Sequence, residues 1–263
     1  MDDRQFDTIL DRFNRSRRGY RRVRKGVKKR LVRHMQRLGC TTVTSYLTVL
    51  ENNSEALQEC ERLLTVSISR FFRDRRLWTI LHDFIIPGFI ERHAEGLTAW
   101  FAGCALGQEA YSFKMMWAEA ATPIPRLFVL ATDGNPLYLR RAKQGIYDES
   151  MLKEVPRNLK NRYFHPTENG TTLEIDSTLK KNIRWLLHDF VHQHPPEKQF
   201  KLIFLRNNLL TYYRREVQES ALCPILSRLA GGGFLIIGSH EHLPFHPVEL
   251  APYRECPFIF QKI

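Results

Sequence analysis

A glycine-bearing turn followed by a carboxylate lies near the middle of the chain. The apolar run 99–102 ends at Gly103, the turn continues to Gly107, and Glu109 follows at once. A second apolar run, 127–131, ends in Thr132 and Asp133. A strand, a glycine turn and a helix form the nucleotide-binding corner of a doubly wound sheet, where a carboxylate after the second strand binds a ribose. The pair predicts a site for a nucleoside-containing cofactor.

The residues of this turn also indicate which cofactor is favoured. The glycines do not form the dinucleotide pattern G-x-G-x-x-G, and the chain contains no G-x-x-x-x-G-K-[ST] phosphate loop. The turn carries a carboxylate and no lysine or arginine, which suits a cation better than a polyphosphate. S-adenosylmethionine has a sulfonium and an ammonium group and no phosphate, so the charges favour it over NAD or ATP. The alternative is a turn that only closes a strand–helix corner.

Positive charge is concentrated in one segment. Twelve of the 40 lysines and arginines lie between Arg15 and Arg37, with no acidic residue among them, and the other 28 balance the 28 acidic residues of the chain. Val23, Val27 and Leu31 recur at a spacing of four, which predicts an amphipathic helix to about residue 38. A basic helix of this kind attracts nucleic acid, anionic lipid or an acidic protein face. The alternative is a solvated charged face without a partner.

Composition narrows the class of protein. The chain has 263 residues, 43% of them hydrophobic, enough for one large or two small domains. Its five scattered cysteines include no C-x-x-C pair, so we expect neither a disulfide framework nor a zinc site. No run of 18 apolar residues is present, so no membrane span is expected. The polar, acidic start is unlike a secretory signal, and we expect a cytoplasmic protein.

The pattern of elements predicts an all-helical first third and an α/β remainder. Short apolar runs alternate with helices from residue 97, which is typical of a mostly parallel sheet covered on both faces. Asn169-Gly170 before an alternating stretch predicts a small hairpin insertion, and 258–263 an antiparallel edge strand. The expected helices are 1–13, 15–38, 42–50, 54–64 with Ser54 as N-cap, 71–82, 84–93 interrupted at Pro87, 108–120, 135–144, 149–154, 157–163 and 215–229. The expected main strands are 98–102, 127–131, 183–187, 201–205 and 232–238.

Four further blocks occur in order with the glycine turn: Ser69 to Asp74 (SRFFRD), Thr132-Asp133, Phe204 to Asn207 (FLRN), and Gly232 to Glu241. With AGCALGQEAYS, this set resembles CheR, the chemoreceptor glutamate methyltransferase family. The resemblance implies a class I methyltransferase with a helical N-terminal domain (1–82), a Rossmann-like domain (83–263) and a small antiparallel β-subdomain inserted at about 163–184.

The resemblance also implies the reaction and the partners. The protein would use S-adenosylmethionine, release S-adenosylhomocysteine, need no metal, and esterify glutamates on the cytoplasmic helices of a methyl-accepting chemoreceptor or a similar acidic helical protein. We expect a monomer, with no nucleic acid partner and no membrane insertion. A glutamate is already ionised at neutral pH, so in-line attack needs no general base, and catalysis rests on alignment.

Site residues follow from the resemblance position by position. Glu109 would face the methionine amino group, and Asp133 the ribose. Arg73, Arg206 and Tyr212 are the expected catalytic residues, because an arginine fork can orient a carboxylate. The expected cofactor-binding residues are Ser69, Arg73, Ala102, Gly103, Glu109, Asp133, Asp189, Phe190, Arg206 and Asn207. The expected substrate-binding residues on the basic segment are Arg17, Arg18, Arg21, Arg22, Arg24, Lys25, Lys28 and Lys29.

One departure from the family pattern bears on function. Thr211 stands where the family has a tyrosine, and Tyr212 and Tyr213 follow it directly. Either a neighbouring tyrosine replaces the missing one or the site has changed. Two alternatives therefore stay open: a cofactor-binding regulator or scaffold that has lost transfer activity, and a nucleic-acid methyltransferase. The second lacks the [DNS]-P-P-[YFW] motif, since Asp189-Phe190 has no following prolines.

Overall fold

The computed structural model describes residues 1–67, 69–92, 96–120, 126–254 and 256–263. The helical N-terminal part comprises α1 (Asp3–Arg12), α2 (Arg17–Tyr20), α3 (Arg24–Arg37), α4 (Val43–Asn52) and α5 (Ser54–Leu64), followed by α6 (Arg75–Ile80), a π turn (Leu81–Ile85) and α7 (Ile86–Arg92). Next come β1 (Leu97–Ala102), α8 (Gln108–Glu119), β2 (Leu127–Asp133), α9 (Pro136–Gln144), β3 (Ile146–Asp148), a 3₁₀ turn (Glu149–Leu152), α10 (Arg157–Tyr163), β4 (Phe164–Pro166), β5 (Thr172–Ile175) and α11 (Ser177–Lys180). The chain ends with β6 (Ile183–Leu187), β7 (Phe200–Leu205), α12 (Leu209–Tyr212), α13 (Arg215–Leu226), β8 (Leu229–Ile237), β9 (Leu250–Tyr253) and β10 (Cys256–Lys262).

The basic segment forms two helices, where the sequence predicted one. Ser16 caps the short α2 through its hydroxyl, which accepts from the Gly19 amide, and α3 begins afresh at Arg24. In α3, Val27, Leu31 and Met35 are buried, as their spacing predicted. The expected cap at Ser54 was wrong, because the Asn53 side chain accepts from the Ala56 amide and so satisfies the first turn of α5.

A continuous helical run crosses the position where the sequence predicted an interruption. Pro87 has no amide hydrogen to donate and would ordinarily interrupt a helix. The π turn directly before α7 changes the hydrogen-bond pattern at that point, and the helix continues past Pro87. His93, the last residue of the helix expected at 84–93, lies outside the described residues.

The main sheet has seven strands in the order β6-β2-β1-β7-β8-β10-β9. The first five strands are parallel, whereas β10 pairs antiparallel with β8 and with β9. The strand order therefore reverses beside β1, whose neighbours are β2 and β7, and open α/β sheets bind ligands at the carboxyl ends of strands at such a point. The expected edge strand 258–263 is internal, because β9 covers it. The predicted fold class is confirmed.

A small three-stranded antiparallel sheet, ordered β3-β5-β4, lies in the connection between β2 and β6. Gly170 has a positive φ in the turn before β5, where the sequence predicted a hairpin. Ile146–Asp148 also joins this sheet, upstream of the expected insertion. Two apolar cores result: one contains residues from Phe6 to Leu64, and the other residues from Phe71 to Ile259. No helix among the described residues is long and apolar enough to cross a membrane.

Candidate active site

A cleft of about 2040 Å³ opens where the carboxyl ends of β1, β2, β6 and β7 face the N-terminal helices. The sheet contributes the turns after its strands, and the helical part contributes α2 and the segment after α5. Of the predicted site residues other than those on the basic segment, the cleft lining includes Ser69, Arg73, Gly103, Glu109, Asp133, Asp189, Phe190, Arg206, Asn207 and Tyr212.

The glycine turn after β1 is held tightly against its neighbours. The amides of Gly103 and Cys104 both donate to the Thr132 carbonyl at 2.8 Å. Gly103 has a φ of +79°, and a Cβ there would lie 2.0 Å from Nδ2 of Asn208, so only glycine fits. Asn208 Nδ2 in turn donates to the Ala102 carbonyl at 2.5 Å. Ala102 itself is buried and, unlike the other expected cofactor residues, is not part of the described cleft lining.

Asp133 lies at the end of β2 with its carboxylate held by the backbone. Its Oδ2 accepts from the Ala105 amide at 2.9 Å and its Oδ1 from the Asn135 amide at 2.8 Å. Burial raises the pKa of Asp133 to about 6, although both hydrogen bonds oppose the rise. The structure thus holds a hydrogen-bond-accepting carboxylate beside the glycine turn. This carboxylate belongs to the residue that the sequence predicted to bind the ribose.

Arg206 links three segments at the base of the cleft. Its guanidinium is paired with Asp74 and with Glu109, and its side chain is only 2% exposed. Glu109, expected to face a ligand ammonium group, therefore has its charge shared with Arg206. Asp74, which pairs with Arg206, was not among the site residues predicted from the sequence. The sequence indicated it only through its place at the end of the Ser69–Asp74 block, because the ion pair joins residues far apart in the chain.

The segment that carries Arg73 has an unusual backbone. Phe72 and Asp74 have φ values of +49° and +65°, and the Phe72 amide donates to the Ser112 hydroxyl at 3.0 Å. The Arg73 carbonyl accepts from the Trp78 indole at 2.7 Å. Ala105 and Asn207, also in the cleft lining, have positive φ as well. Non-glycine residues in this region are strained, and such strain concentrates at functional sites.

The turn after β7 is clamped by a buried carboxylate. Glu241 accepts from the amides of Asn207 at 2.9 Å and Gly238 at 2.7 Å, and from the Thr211 hydroxyl. Burial raises the pKa of Glu241, while these hydrogen bonds oppose the rise. The Thr211 side chain is thus committed to Glu241, and the next residue, Tyr212, also lines the cleft.

Tyr212 lies at the junction of the two parts of the chain. Its ring meets the Tyr20 ring of α2 edge-on, with centroids 5.2 Å apart. Burial raises the pKa of Tyr212, and the nearby positive charge of Arg73 acts in the opposite direction. The phenol therefore stays protonated at neutral pH and can donate a hydrogen bond.

The opposite end of the cleft is more apolar. Phe190 and the 56%-exposed Leu187 line it, which suits a planar base. Asp189 accepts from the Val191 amide at 2.8 Å and pairs with His192 Nδ1 at 2.7 Å. These contacts, chiefly the bond to the His192 ring, hold the pKa of Asp189 below its usual range against the opposing effect of burial.

The rim of the cleft is rich in arginine, but only part of the basic segment reaches it. Arg17, Arg18, Arg21 and Arg22 line the cleft. Among the described residues, the other four predicted substrate contacts lie off the lining. Arg24 and Lys28 instead pair with Asp3, and Lys25 and Lys29 are exposed on α3. Arg15, at the start of the basic segment, also lines the cleft, and further arginines on the lining come from elsewhere in the chain: Arg62, Arg70, Arg73, Arg206, Arg214 and Arg215.

The lining fits S-adenosylmethionine. Asp133 offers a hydroxyl acceptor, Phe190 and Leu187 an apolar wall, and the Glu109–Arg206 pair charged atoms. Four buried polar atoms of lining residues, Arg15 Nε, Ser67 Oγ, His188 Nδ1 and Arg206 Nε, have no hydrogen-bond partner among the described residues, as expected where a polar ligand completes a site. Among the described residues, no group of three or more His, Cys, Asp or Glu side chains could hold a metal ion.

Comparison with known proteins agrees with this geometry. Residues 67–255 match the family model described as CheR methyltransferase, SAM binding domain. The chain is 31% identical to a chemotaxis protein methyltransferase of Listeria monocytogenes over 82% of this chain and 81% of that protein. It is 28% identical to the chemotaxis protein methyltransferase of Escherichia coli K12 over 82% of this chain and 76% of that protein. A 104.1 kDa protein of Rhodobacter capsulatus is 31% identical over 82% of this chain but only 23% of that protein. The chain therefore belongs to the CheR methyltransferase family, and the part matched is a class I S-adenosylmethionine-binding domain.

Proposed function

We propose that this protein transfers the methyl group of S-adenosylmethionine to glutamate side chains on the cytoplasmic helices of a chemoreceptor. Family membership supports the methyl donor, and the names of the relatives in Listeria and Escherichia coli support a chemotaxis substrate. The observation that carries the proposal is that Asp133, Arg73 and Tyr212 line one cleft together with four exposed arginines, Arg17, Arg18, Arg21 and Arg22.

The cofactor would lie across the carboxyl ends of the strands, with its methyl group made electrophilic by the sulfonium. Asp133 accepts hydrogen bonds from the ribose, and Phe190 packs against the base beside Asp189. Glu109 faces the amino group, while Ser69 and Arg73 approach the methionine carboxylate. Gly103 and Asn207 supply backbone close to the ligand, and Ala102 acts through its carbonyl by holding Asn208.

Among the proposed catalytic residues, the contacts distinguish the two arginines. Arg206 is almost completely buried and already neutralised by Asp74 and Glu109. It therefore suits the positioning of Glu109 better than the capture of a second carboxylate. Arg73 is half-buried on the lining, and we assign to it the orientation of the acceptor glutamate. The protonated Tyr212 hydroxyl donates to the same carboxylate, and α12 places it there.

The arginines of α2 and of the turn after it form the entrance for the acceptor. Arg17, Arg18, Arg21 and Arg22 give the rim a charge opposite to that of an acidic receptor helix, which raises the rate of encounter. We propose a cytoplasmic monomer, with a helical domain and a methyltransferase domain. The two apolar cores support this division, and we place its boundary between Leu64 and Phe71, upstream of residue 82.

Mass spectrometry of a purified receptor cytoplasmic fragment tests the substrate. Incubation with the protein and S-adenosylmethionine should add the mass of a methyl ester to glutamate-containing peptides, and mild base should remove it. Methylation confined to lysine or to other base-stable positions would contradict the proposal.

One observation favours a second candidate, a cofactor-binding regulator without transfer activity. Thr211 replaces the tyrosine of the family pattern, and its hydroxyl is held by Glu241. Calorimetry together with the methylation assay separates the two functions. A regulator binds S-adenosylhomocysteine and leaves every receptor fragment unmodified, whereas the enzyme binds S-adenosylhomocysteine and methylates the fragment.

A further inference from the structure

We infer that Gly19 of α2 is a positioning residue for α12 and the turn before it, which carry Arg206 and Tyr212. Through Gly19, the position of the helix that docks the acceptor determines the position of the side chains that align it for methyl transfer. This inference deepens the proposed function and rests on it. In the proposed function α2 only attracts the acceptor through its arginines. The contacts behind those arginines assign it a second role.

The two parts of the chain approach each other closely at Gly19. A Cβ built there would lie 2.1 Å from the Thr211 carbonyl oxygen and 2.9 Å from its carbon. Carbon atoms pack at about 3.5–4 Å, so any side chain would push α12 away by about 1 Å. The opposing atoms belong to the backbone, which has no rotamer to change.

Backbone contacts of the residues just before Gly19 continue this attachment. The Ser16 amide donates to the Tyr212 carbonyl at 2.9 Å, and the Arg214 amide donates to the Asn14 carbonyl at 2.9 Å. Between them, Arg15 and Tyr213 form an antiparallel bridge. The segment 14–20 is therefore attached to the segment 211–214 by backbone contacts.

Side chains strengthen the same attachment. The Arg15 guanidinium lies 3.7 Å from the centre of the Tyr213 ring, and Arg15 is only 8% exposed. Asp11 pairs with Arg214 and, at 2.8 Å, with Arg17. Through Asp11, the helical part is therefore paired both with Arg214, which follows α12, and with Arg17, which lines the cleft.

On its far side α12 is tied to the sheet. Thr211, whose carbonyl faces Gly19, donates its hydroxyl to Glu241, and Glu241 also holds the Asn207 amide. The turn is therefore held between α2 and the end of β8. A shift of α2 moves Tyr212 relative to Arg73, and a displacement of about 1 Å can cost about 100-fold in rate.

The decisive variant is Gly19→Ala, with Gly26→Ala as its matched control. Gly26 also lies in a helix of the basic segment, but a Cβ there meets nothing within 4 Å. For Gly19→Ala we expect kcat for receptor methylation to fall about 100-fold, while the receptor KM and the Kd for S-adenosylhomocysteine change less than about threefold. Gly26→Ala should match the wild type in all three quantities.

Hydrogen exchange gives a readout that does not depend on activity. Gly19→Ala should remove protection from the amides of Ser16 and Arg214, and Gly26→Ala should leave it intact. Should Gly19→Ala fail to fold, Asp11→Asn takes its place, because this partly exposed carboxylate joins Arg17 and Arg214 without filling the core. Its expected effect is about a threefold loss of kcat without a higher KM.

A Gly19→Ala protein with normal kcat and normal exchange would overturn the inference, and so would a change confined to KM, which would indicate docking alone. If the wild type methylates no receptor, the proposed function fails. The attachment of α2 to α12 is then upheld by lost protection in Gly19→Ala and overturned by unchanged protection.

Discussion

Asp133 is the residue whose loss should affect the cofactor most. Its carboxylate is already ordered by the Ala105 and Asn135 amides and faces the cleft. Asp133→Ala should weaken S-adenosylhomocysteine binding by about 100-fold, because each hydrogen bond to a charged group contributes about 1.5–3 kcal/mol. Calorimetry with Asp148→Ala, an exposed aspartate on β3, as control is the measurement. Wild-type affinity in Asp133→Ala would refute the ribose role.

The raised pKa of Asp133 also predicts a pH dependence of cofactor binding. The ionised carboxylate accepts two hydroxyl hydrogen bonds, and protonation below its pKa of about 6 removes that capacity. The Kd for S-adenosylhomocysteine should therefore rise about tenfold from pH 7 to pH 5. Asp133→Asn should bind weakly but with a flat profile over this range. A slope that persists in Asp133→Asn would assign the titration to another group.

The same shift affects the stability of the protein without ligand. Because the folded-state pKa is higher than the ordinary value, the folded protein binds the proton more tightly than the unfolded chain. The free energy of unfolding should fall as pH rises from about 4 to about 6, with no further change from this group above that range. Denaturant titrations of wild type and Asp133→Asn at pH 4.5 and 6.5 measure the change in the free energy of unfolding, and the contribution of Asp133 to that change should be absent in the variant.

Glu241 holds the turn after β7 with a single carboxylate. In Glu241→Gln the amide oxygen can still accept from both backbone amides, which share one oxygen of Glu241, but the new NH2 group faces the Thr211 hydroxyl and the negative charge that strengthens all three hydrogen bonds is lost, at a cost of about 1–3 kcal/mol. Methyl transfer should fall about tenfold or more, while the Kd for S-adenosylhomocysteine changes little. Glu168→Gln, at an exposed position, is the control. Unchanged kcat in Glu241→Gln would mean that the turn does not need this clamp.

At the scale of elements, the arginines of α2 and of the turn after it differ in position from the lysines of α3. Arg18 and Arg22 line the cleft, whereas Lys25 and Lys29 lie off the lining. Salt screens charges over about 8 Å at physiological ionic strength, so position should matter more than net charge. Arg18→Glu/Arg22→Glu should raise the receptor KM about tenfold with cofactor affinity intact.

Lys25→Glu/Lys29→Glu provides the matched comparison, because it reverses the same number of charges on the neighbouring helix. It should change the receptor KM by no more than about twofold at 0.15 M salt. An equal rise of the receptor KM in the two double variants would show that the charges of the whole basic segment act together, whatever their position. No loss in either would refute electrostatic capture.

The elements of the α/β part were largely predictable, because each rests on a local pattern. Strand β1, the glycine turn and α8 follow directly from an apolar run, Gly103 and Gly107, and a helical segment. The break between α2 and α3 was not predictable, because the apolar spacing from Val23 to Met35 runs smoothly and only packing against α12 explains the short helix. Strand β3 was missed for a similar reason, since three residues carry too little pattern and pair with a strand far along the chain.

At the scale of the whole molecule, the site was predicted in its parts and not in its connections. Motif order placed Arg73, Glu109, Asp133 and Arg206 near one another, and all four line the cleft. The pairing of Arg206 with Asp74 and Glu109, and the commitment of Thr211 to Glu241, join distant segments. Such contacts depend on three-dimensional packing, which a single sequence does not encode in any local spacing.

The same scale explains why the reaction needs no elaborate acid–base machinery. The helical part and the sheet part meet at one cleft. In the proposed function the sheet holds the cofactor and α2 attracts the acceptor, so transfer would depend on how α2 is placed against the sheet. The inferred attachment of α2 to α12 would set that placement.

The measurement that tests the central claim most directly is transfer of radiolabelled methyl from S-adenosylmethionine to receptor-containing membranes, followed by base treatment of the labelled bands. We predict label on the receptor band that mild base releases as methanol, and loss of that label in Asp133→Ala. No label on the receptor in a preparation that binds S-adenosylhomocysteine, or label that survives base, would contradict carboxylate methylation.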